Sequence, residues 1–148
     1  MEEYKNQLEI TRATLSRYHE SQFSLYNALW GSLHDLKIAG DSLWEIANIN
    51  NLNRFTTQLK NTDDMINKNA LLIEDEHLRK LKRLMDAFWN FRIGKKTLIE
   101  LRESRERVWD EDIRQTISQN RQIREEYNHL IFDIASSFKR QLRGRYNE

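Results

Sequence analysis

The sequence predicts an all-α fold, an up-down four-helix bundle in which a long N-terminal helix overhangs the other helices as a coiled-coil stalk. Three observations support this fold class. The 148 residues include no proline and only one valine, Val108, so little is available for building strands. One apolar stripe runs without a break from residue 4 to residue 47. Short polar breaks then separate three further helical patterns, and short connections favour antiparallel neighbours.

The first helix is predicted over residues 4–47. A helix of this length runs about 66 Å, roughly twice the width of a small domain, so a bundle cannot cover all of it. Up to Gln22 the stripe is narrow and diluted by polar residues, as in a coiled-coil seam. We therefore divide the chain into a stalk at 1–22 and a bundle at 23–148. The stripe consists of residues that share one face at about 100° per residue: Tyr4, Leu8, Leu15, Phe23, Tyr26, Trp30, Leu33, Trp44 and Ala47.

The later helices are predicted over residues 51–68, 74–103 and 110–143. The run of asparagines at 48–51 is a stop signal, since asparagine suits both a helix end and the next N-cap. The third helix has an apolar arc of about 180°, which predicts the central position in the bundle. A run of alternating charge at 102–107 predicts a turn, and Gly144 is predicted to end the last helix as its C′ residue.

Composition bounds the possible functions. With 24 Lys and Arg against 23 Asp and Glu, the net charge is +1, which argues against binding nucleic acid through the whole surface. The lack of cysteine excludes disulfides, thiolate catalysis and cysteine metal sites. It is consistent with a reducing compartment, and we predict a cytoplasmic protein without a cofactor. The charged opening residues predict neither a signal peptide nor membrane insertion.

The first functional hypothesis is a non-catalytic module that mediates oligomerisation or binds other proteins. The stalk leaves apolar side chains without cover from the bundle, so another copy or a helical protein partner is expected to cover them. The predicted self-association residues are Tyr4, Leu8, Leu15, His19 and Gln22.

Two Glu-x-x-His pairs raise the possibility of a metal site, because di-iron bundles combine two such pairs with two inward glutamates. The pairs are Glu74 with His77 and Glu126 with His129. His129 lies about 160° from the apolar face of its helix, and Glu74 with His77 falls in a capping turn. No glutamate in the first two helices completes the ligand set, so we expect surface and capping roles and no bound metal.

The segment from Arg124 to His129 resembles the motif of HEPN-type RNases, in which an arginine and a histidine of two protomers meet across a dimer to cleave RNA. This resemblance implies a metal-independent nuclease that uses Arg124 and His129. Glu125 departs from the family pattern, which has a polar Asn, Asp or His after the arginine. Its negative charge stands where a phosphate would have to approach.

A third hypothesis concerns the basic C-terminal end of the chain. Four cations lie close together there with only Glu148 as a nearby acid, so this end is a candidate contact for nucleic acid or another anionic surface. The residues are Lys139, Arg140, Arg143 and Arg145. Elsewhere, Trp30 and Trp44 are spaced to share a face that Trp89 can approach, and we expect these aromatics to lie in the core.

Most of the chain is also similar to bacterial proteins of unknown function that join a coiled coil to a helical bundle. The resemblance lies in segments 22–30, 41–44, 51–55, 73–77 and 94–99, which read QFSLYNALW, DSLW, NLNRF, IEDEH and GKKTLI. It implies the stalk and bundle already predicted from the apolar pattern, and it implies no activity.

Overall fold

The computed structural model describes residues 2–104 and 110–146, with side chains described as far as Gly144. Every regular element in these ranges is helical, so the all-α prediction is confirmed. The long helices are α1 (Glu2–Glu45), α2 (Ile49–Lys68), α3 (Asp75–Glu103) and α4 (Asp110–Tyr146), and a short 3-10 turn, η1 (Ala70–Leu72), joins α2 to α3.

The four helices pack as an up-down bundle, in which α1 contacts α2 and α4, and α3 contacts α2 and α4. Contacts at both ends of α3 show its antiparallel pairing with α4. Near the start of α3, Lys80 Nζ donates to Ser137 Oγ at 2.9 Å, whereas near its end Gly94 adjoins Asn120, which lies earlier in α4. The ring of Tyr26 in α1 stacks on that of Phe138 in α4 at 4.5 Å between centroids.

Two helix ends illustrate how local signals set boundaries. Asn48 is the N-cap of α2, and its side chain accepts a hydrogen bond of 2.8 Å from the Asn51 N–H, so α2 begins at Ile49 and not at residue 51. The predicted end at Gly144 is wrong, because α4 continues to Tyr146. One glycine costs a helix only about 1 kcal/mol, which is not enough to end it. Residues 105–107, half of the predicted turn at 102–107, lie outside the described residues.

The centre of the core is a group of aromatic rings contributed by α2, α3 and α4. Their centroids lie 4.5 to 5.9 Å apart, and the rings belong to Phe55, Phe88, Phe91 and Tyr127. Gly40 of α1 faces this group, and a Cβ there would lie 3.0 Å from Tyr127 Oη, so the glycine permits a close approach of α1. The expectation that the tryptophans lie in the core is wrong for Trp30, which is 39% exposed, whereas Trp44 and Trp89 are partly buried and pack against the core.

The N-terminal half of α1 extends beyond the bundle. All residues from 2 to 21 are exposed, and at 1.5 Å per residue they form a segment about 30 Å long. The predicted overhang of the long N-terminal helix is therefore present. None of the helices in the described part of the chain contains a segment long and apolar enough to cross a membrane.

Candidate functional site

The overhanging segment of α1, residues 2–21, is the most extended exposed surface of the described chain, and we call it the rod. Tyr4, Leu8, Leu15 and His19 lie on it, as predicted. Tyr4 is 68% exposed and Leu15 is 51% exposed. Burying a leucine side chain contributes about 1.5 to 3 kcal/mol, so this surface can supply binding energy when it is covered.

Gln22 is the exception among the predicted self-association residues, and its assignment is wrong. Its side chain is fully buried, and its Nε2 donates to the Leu72 carbonyl oxygen at 2.8 Å and to Glu74 Oε1 at 3.3 Å. The bundle therefore begins one residue before the predicted boundary at residue 23. Phe23, the first predicted bundle residue, is exposed.

The rod continues the packing repeat of the bundle. Apart from Leu25, which lies beside Tyr26, the buried residues of α1 are spaced alternately four and three residues apart: Gln22, Tyr26, Leu29, Leu33, Leu36, Gly40 and Leu43. This is the heptad spacing of helices that pack side by side over a long distance. Carried back towards the N-terminus, the same spacing defines a series that we call the rod seam: Lys5, Leu8, Arg12, Leu15 and His19.

A groove lies where the rod enters the bundle. It encloses about 630 Å³ between α1 and the C-terminal end of α4. Apolar side chains from both helices line it, together with charged or titratable groups of α1. The lining includes Arg12, Leu15, His19, Glu20, Phe23 and Leu142. Its shape and walls suit a helix end that brings an aromatic or aliphatic side chain.

A buried hydrogen-bond network fixes the root of the rod. The Tyr26 hydroxyl lies 2.8 Å from His77 Nδ1 and accepts a bond of 3.1 Å from the Glu74 N–H. Gln141 Nε2 of α4 donates to Glu74 Oε1 at 3.3 Å. Since Gln22 also donates to Glu74, α1, α4 and the start of α3 share one carboxylate. The direction of the rod is therefore held by three helices.

His77 lies inside this network, in the first turn of α3, where the sequence predicted a capping turn. It is buried, and Glu74 is the N-cap residue of the helix. Burial lowers the pKa of His77, although Glu76 and Glu74 oppose the effect. We assign the neutral ring, with Nδ1 accepting the Tyr26 hydroxyl proton. Within the described residues no three His, Cys, Asp or Glu side chains are placed to hold a metal ion.

The structure does not bring the two residues of the RNase motif onto one face of α4. Arg124 points towards α1, where its Nη2 donates to Asp41 Oδ1 at 3.1 Å and its guanidinium lies 5.4 Å from the Trp44 ring centroid. His129 is exposed, and five residues of helix separate it from Arg124 by about 140°. Arg124 would have to leave its ion pair to reach a substrate with His129.

The basic end of α4 is exposed near the root of the rod. Lys139, Arg140 and Arg143 are all exposed, and Arg140 Nη2 reaches Ser137 Oγ at 3.4 Å. The side chain of Arg145, the fourth predicted anion contact, lies outside the described residues. Leu142 of the same segment lines the groove. This places positive charge beside the groove.

The opposite end of the bundle contains a buried cation that the sequence analysis did not identify. Lys95 is 2% exposed, and its Nζ lies 4.2 Å from the Trp44 ring centroid. Among the described residues it has no hydrogen-bond or ion-pair partner. Burial, together with the charges of Arg102 and Arg124, lowers the pKa of Lys95 to about 8. The signal in the sequence was a lone lysine between Phe91 and Leu98 in the apolar arc.

Comparisons with protein-family models, with curated proteins and with solved structures found no match. These comparisons therefore supply no activity for the chain. The exposed rod and its groove are the surfaces on which a functional proposal can be built.

Proposed function

We propose that this protein is a non-catalytic, cytoplasmic helical module that self-associates by coiled-coil pairing of its rod seam and presents its bundle to a protein partner. The observation that carries the proposal is the packing repeat of α1. The same spacing that is buried within the bundle from Gln22 to Leu43 continues through the exposed rod. The absence of cysteine supports the cytoplasmic setting.

The energetics favour a weak and reversible association. Two copies together bury four leucines of the rod seam, Leu8 and Leu15 from each, for roughly 6 to 12 kcal/mol at about 1.5 to 3 kcal/mol each. Association costs about 4 kcal/mol or more in lost translational and rotational freedom. The basic residues Lys5 and Arg12 in the seam reduce the gain further. At most about 2 to 8 kcal/mol remains, which corresponds to a dissociation constant of about micromolar at the tightest limit and of millimolar order or weaker towards the other.

Sedimentation of the full chain over a range of concentrations tests this proposal. The test variant is Leu8→Glu with Leu15→Glu, which puts charge into the rod seam. The matched control is Ile10→Glu, because Ile10 is 65% exposed and lies on the opposite side of the rod. Circular dichroism checks that all three proteins keep the same helix content.

The intact chain and the Ile10 variant are expected to gain mass with concentration, while the double variant stays monomeric. A constant monomeric mass for the intact chain at concentrations up to about millimolar would refute the proposal. So would equal association of the double variant and the intact chain, since the seam would then make no contribution.

A further inference from the structure

The face of α1 that carries the rod seam restricts how two copies can pair. Within the bundle this face, with Leu29 and Leu36, is covered by neighbouring helices, chiefly α2 and α4. Two rods that pair through their seams have axes about 8 to 10 Å apart. In a parallel pair both bundles would begin at the same level, each on the side of α1 that faces the other copy. The two bundles would then occupy the same volume.

Charge along the rod seam also opposes a parallel pair. Lys5, Arg12 and His19 alternate with Leu8 and Leu15. Parallel rods in register would place each basic residue against its own copy. Antiparallel rods instead set the basic positions against leucine positions, where the aliphatic stems of lysine and arginine can cover the leucines.

Charge at the two ends of the rod acts in the same sense. The tip carries Glu2 and Glu3, whereas the root lies beside the exposed cations Lys139 and Arg143. Parallel pairing brings acidic tips together and basic ends together. Antiparallel pairing brings each acidic tip to the basic end of the other copy. Exposed pairs contribute only about 0.2 to 1 kcal/mol each, so they bias the orientation more than they strengthen binding.

From these three observations we infer that the second copy pairs antiparallel, with the tip of each rod seated in the groove at the root of the other. The inference rests on the self-association proposed above and adds its orientation and contact site. Tyr4 of the second copy is the side chain that the groove receives, against Phe23 and Leu142. The two bundles then stand at opposite ends of the dimer.

The overall length of the dimer separates the two orientations. From helix lengths, one chain is about 80 Å long, and a parallel pair has about the same length. An antiparallel pair that overlaps only along the rods is about 120 to 130 Å long. Small-angle X-ray scattering of the full chain, at concentrations where sedimentation gives a dimer, measures this maximum dimension.

A cross-linking variant supplies an independent readout, since the chain contains no cysteine of its own. In a parallel pair, Lys5→Cys places two thiols side by side in the seam, and oxidation yields a covalent dimer. In an antiparallel pair the same thiols lie about 15 Å or more apart along the axis and do not react. The substitution removes a basic residue from the seam, so it favours the parallel alternative and makes the test strict.

The expected result is a maximum dimension of about 120 to 130 Å with Lys5→Cys remaining uncross-linked. A dimer about 80 Å long, or efficient cross-linking of Lys5→Cys, would overturn the antiparallel orientation and leave self-association standing. A monomer at every concentration would overturn both, so the two failures are distinguishable.

Discussion

Lys95 should make the stability of this bundle rise with pH in the weakly alkaline range. Its pKa is about 8 in the folded chain, against an ordinary value of 10.5 that applies when the chain unfolds. Below pH 8 the folded protein holds a charged ammonium where burial disfavours it. Between the two pKa values the unfolded chain binds a proton that the folded chain has released, so the free energy of unfolding increases with pH.

The size of the effect follows from this difference in pKa. At about 1.4 kcal/mol per unit, the full difference corresponds to about 3 kcal/mol. Between about pH 7.5 and about pH 9.5, roughly 2 kcal/mol of it should appear. The window stops there because burial, with the charge of Asp41, raises the pKa of Tyr127 above its ordinary value of 10.0. Ionisation of this tyrosine in the unfolded chain then lowers stability at higher pH.

Urea unfolding followed by tryptophan fluorescence at several pH values measures this dependence. The comparison is between the intact chain and Lys95→Met, at one protein concentration. Lys96→Met is the matched control, since Lys96 is the next residue of α3 and is exposed. The control should gain about 2 kcal/mol across the window like the intact chain, and Lys95→Met should gain much less. An equal gain in all three proteins would refute the assignment of the effect to Lys95.

Two further predictions concern packing at the two ends of the bundle. Gly94→Ala should lower the free energy of unfolding by up to about 2 kcal/mol, because its Cβ would collide with the side chain of Asn120 and overpacking outweighs the gain in helix propensity. Gly31→Ala should instead raise the free energy of unfolding by about 1 kcal/mol, because the added Cβ meets no atom within 4 Å. Thermal unfolding of both variants measures the two changes, and changes of the same sign would contradict this account. Tyr26→Phe should lower the free energy of unfolding by about 1 to 3 kcal/mol, because it removes the hydroxyl that forms a hydrogen bond with His77. Urea unfolding measures this loss, and a loss of no more than a few tenths of a kcal/mol would contradict the role given to the bond.

The features that the sequence predicted well are those set by residues close together in the chain. Helix type follows from composition and from apolar spacing within a few turns. The start of α2 depends on Asn48, whose side chain accepts a hydrogen bond from the N–H of Asn51, three residues later. Such a signal can be read from the local sequence. The length of the exposed rod also follows from sequence, because a helix of 44 residues outreaches the bundle that its shorter neighbours can build.

The predicted apolar stripe of α1 differs from the face that is buried in the structure, and the difference has a physical cause. It assumed a fixed advance of about 100° per residue over the whole helix. The buried residues instead repeat every 3.5 residues on average, and a straight stripe drifts from such a repeat by about 20° in each heptad. Phe23 and Trp30 share the predicted stripe yet lie beside the buried face, where they stay exposed.

The polar clusters were missed for a different reason. Tyr26 and His77 are separated by 51 positions in the chain, and their bond exists only because α3 begins beside the root of the rod. The contact of Lys95 with Trp44 depends in the same way on how α1 and α3 pack. No local sequence pattern predicts such pairings. A lone polar residue in an apolar arc indicates that its side chain has a partner or a shifted pKa, but it does not identify the partner.

Gln22 connects the two halves of α1 and explains why one helix can serve two kinds of packing. Leucines recur at seven-residue intervals at positions 8, 15, 29, 36 and 43, and Gln22 occupies the remaining place in that series. A polar residue in a heptad seam fixes register, because its hydrogen bonds are satisfied in only one alignment. Here the amide donates to Leu72 and Glu74 of its own chain, so it ends the intramolecular seam at a defined level. The leucines N-terminal to Gln22 repeat the same spacing, but no helix of their own bundle covers them. This arrangement is expected of a seam that another molecule completes.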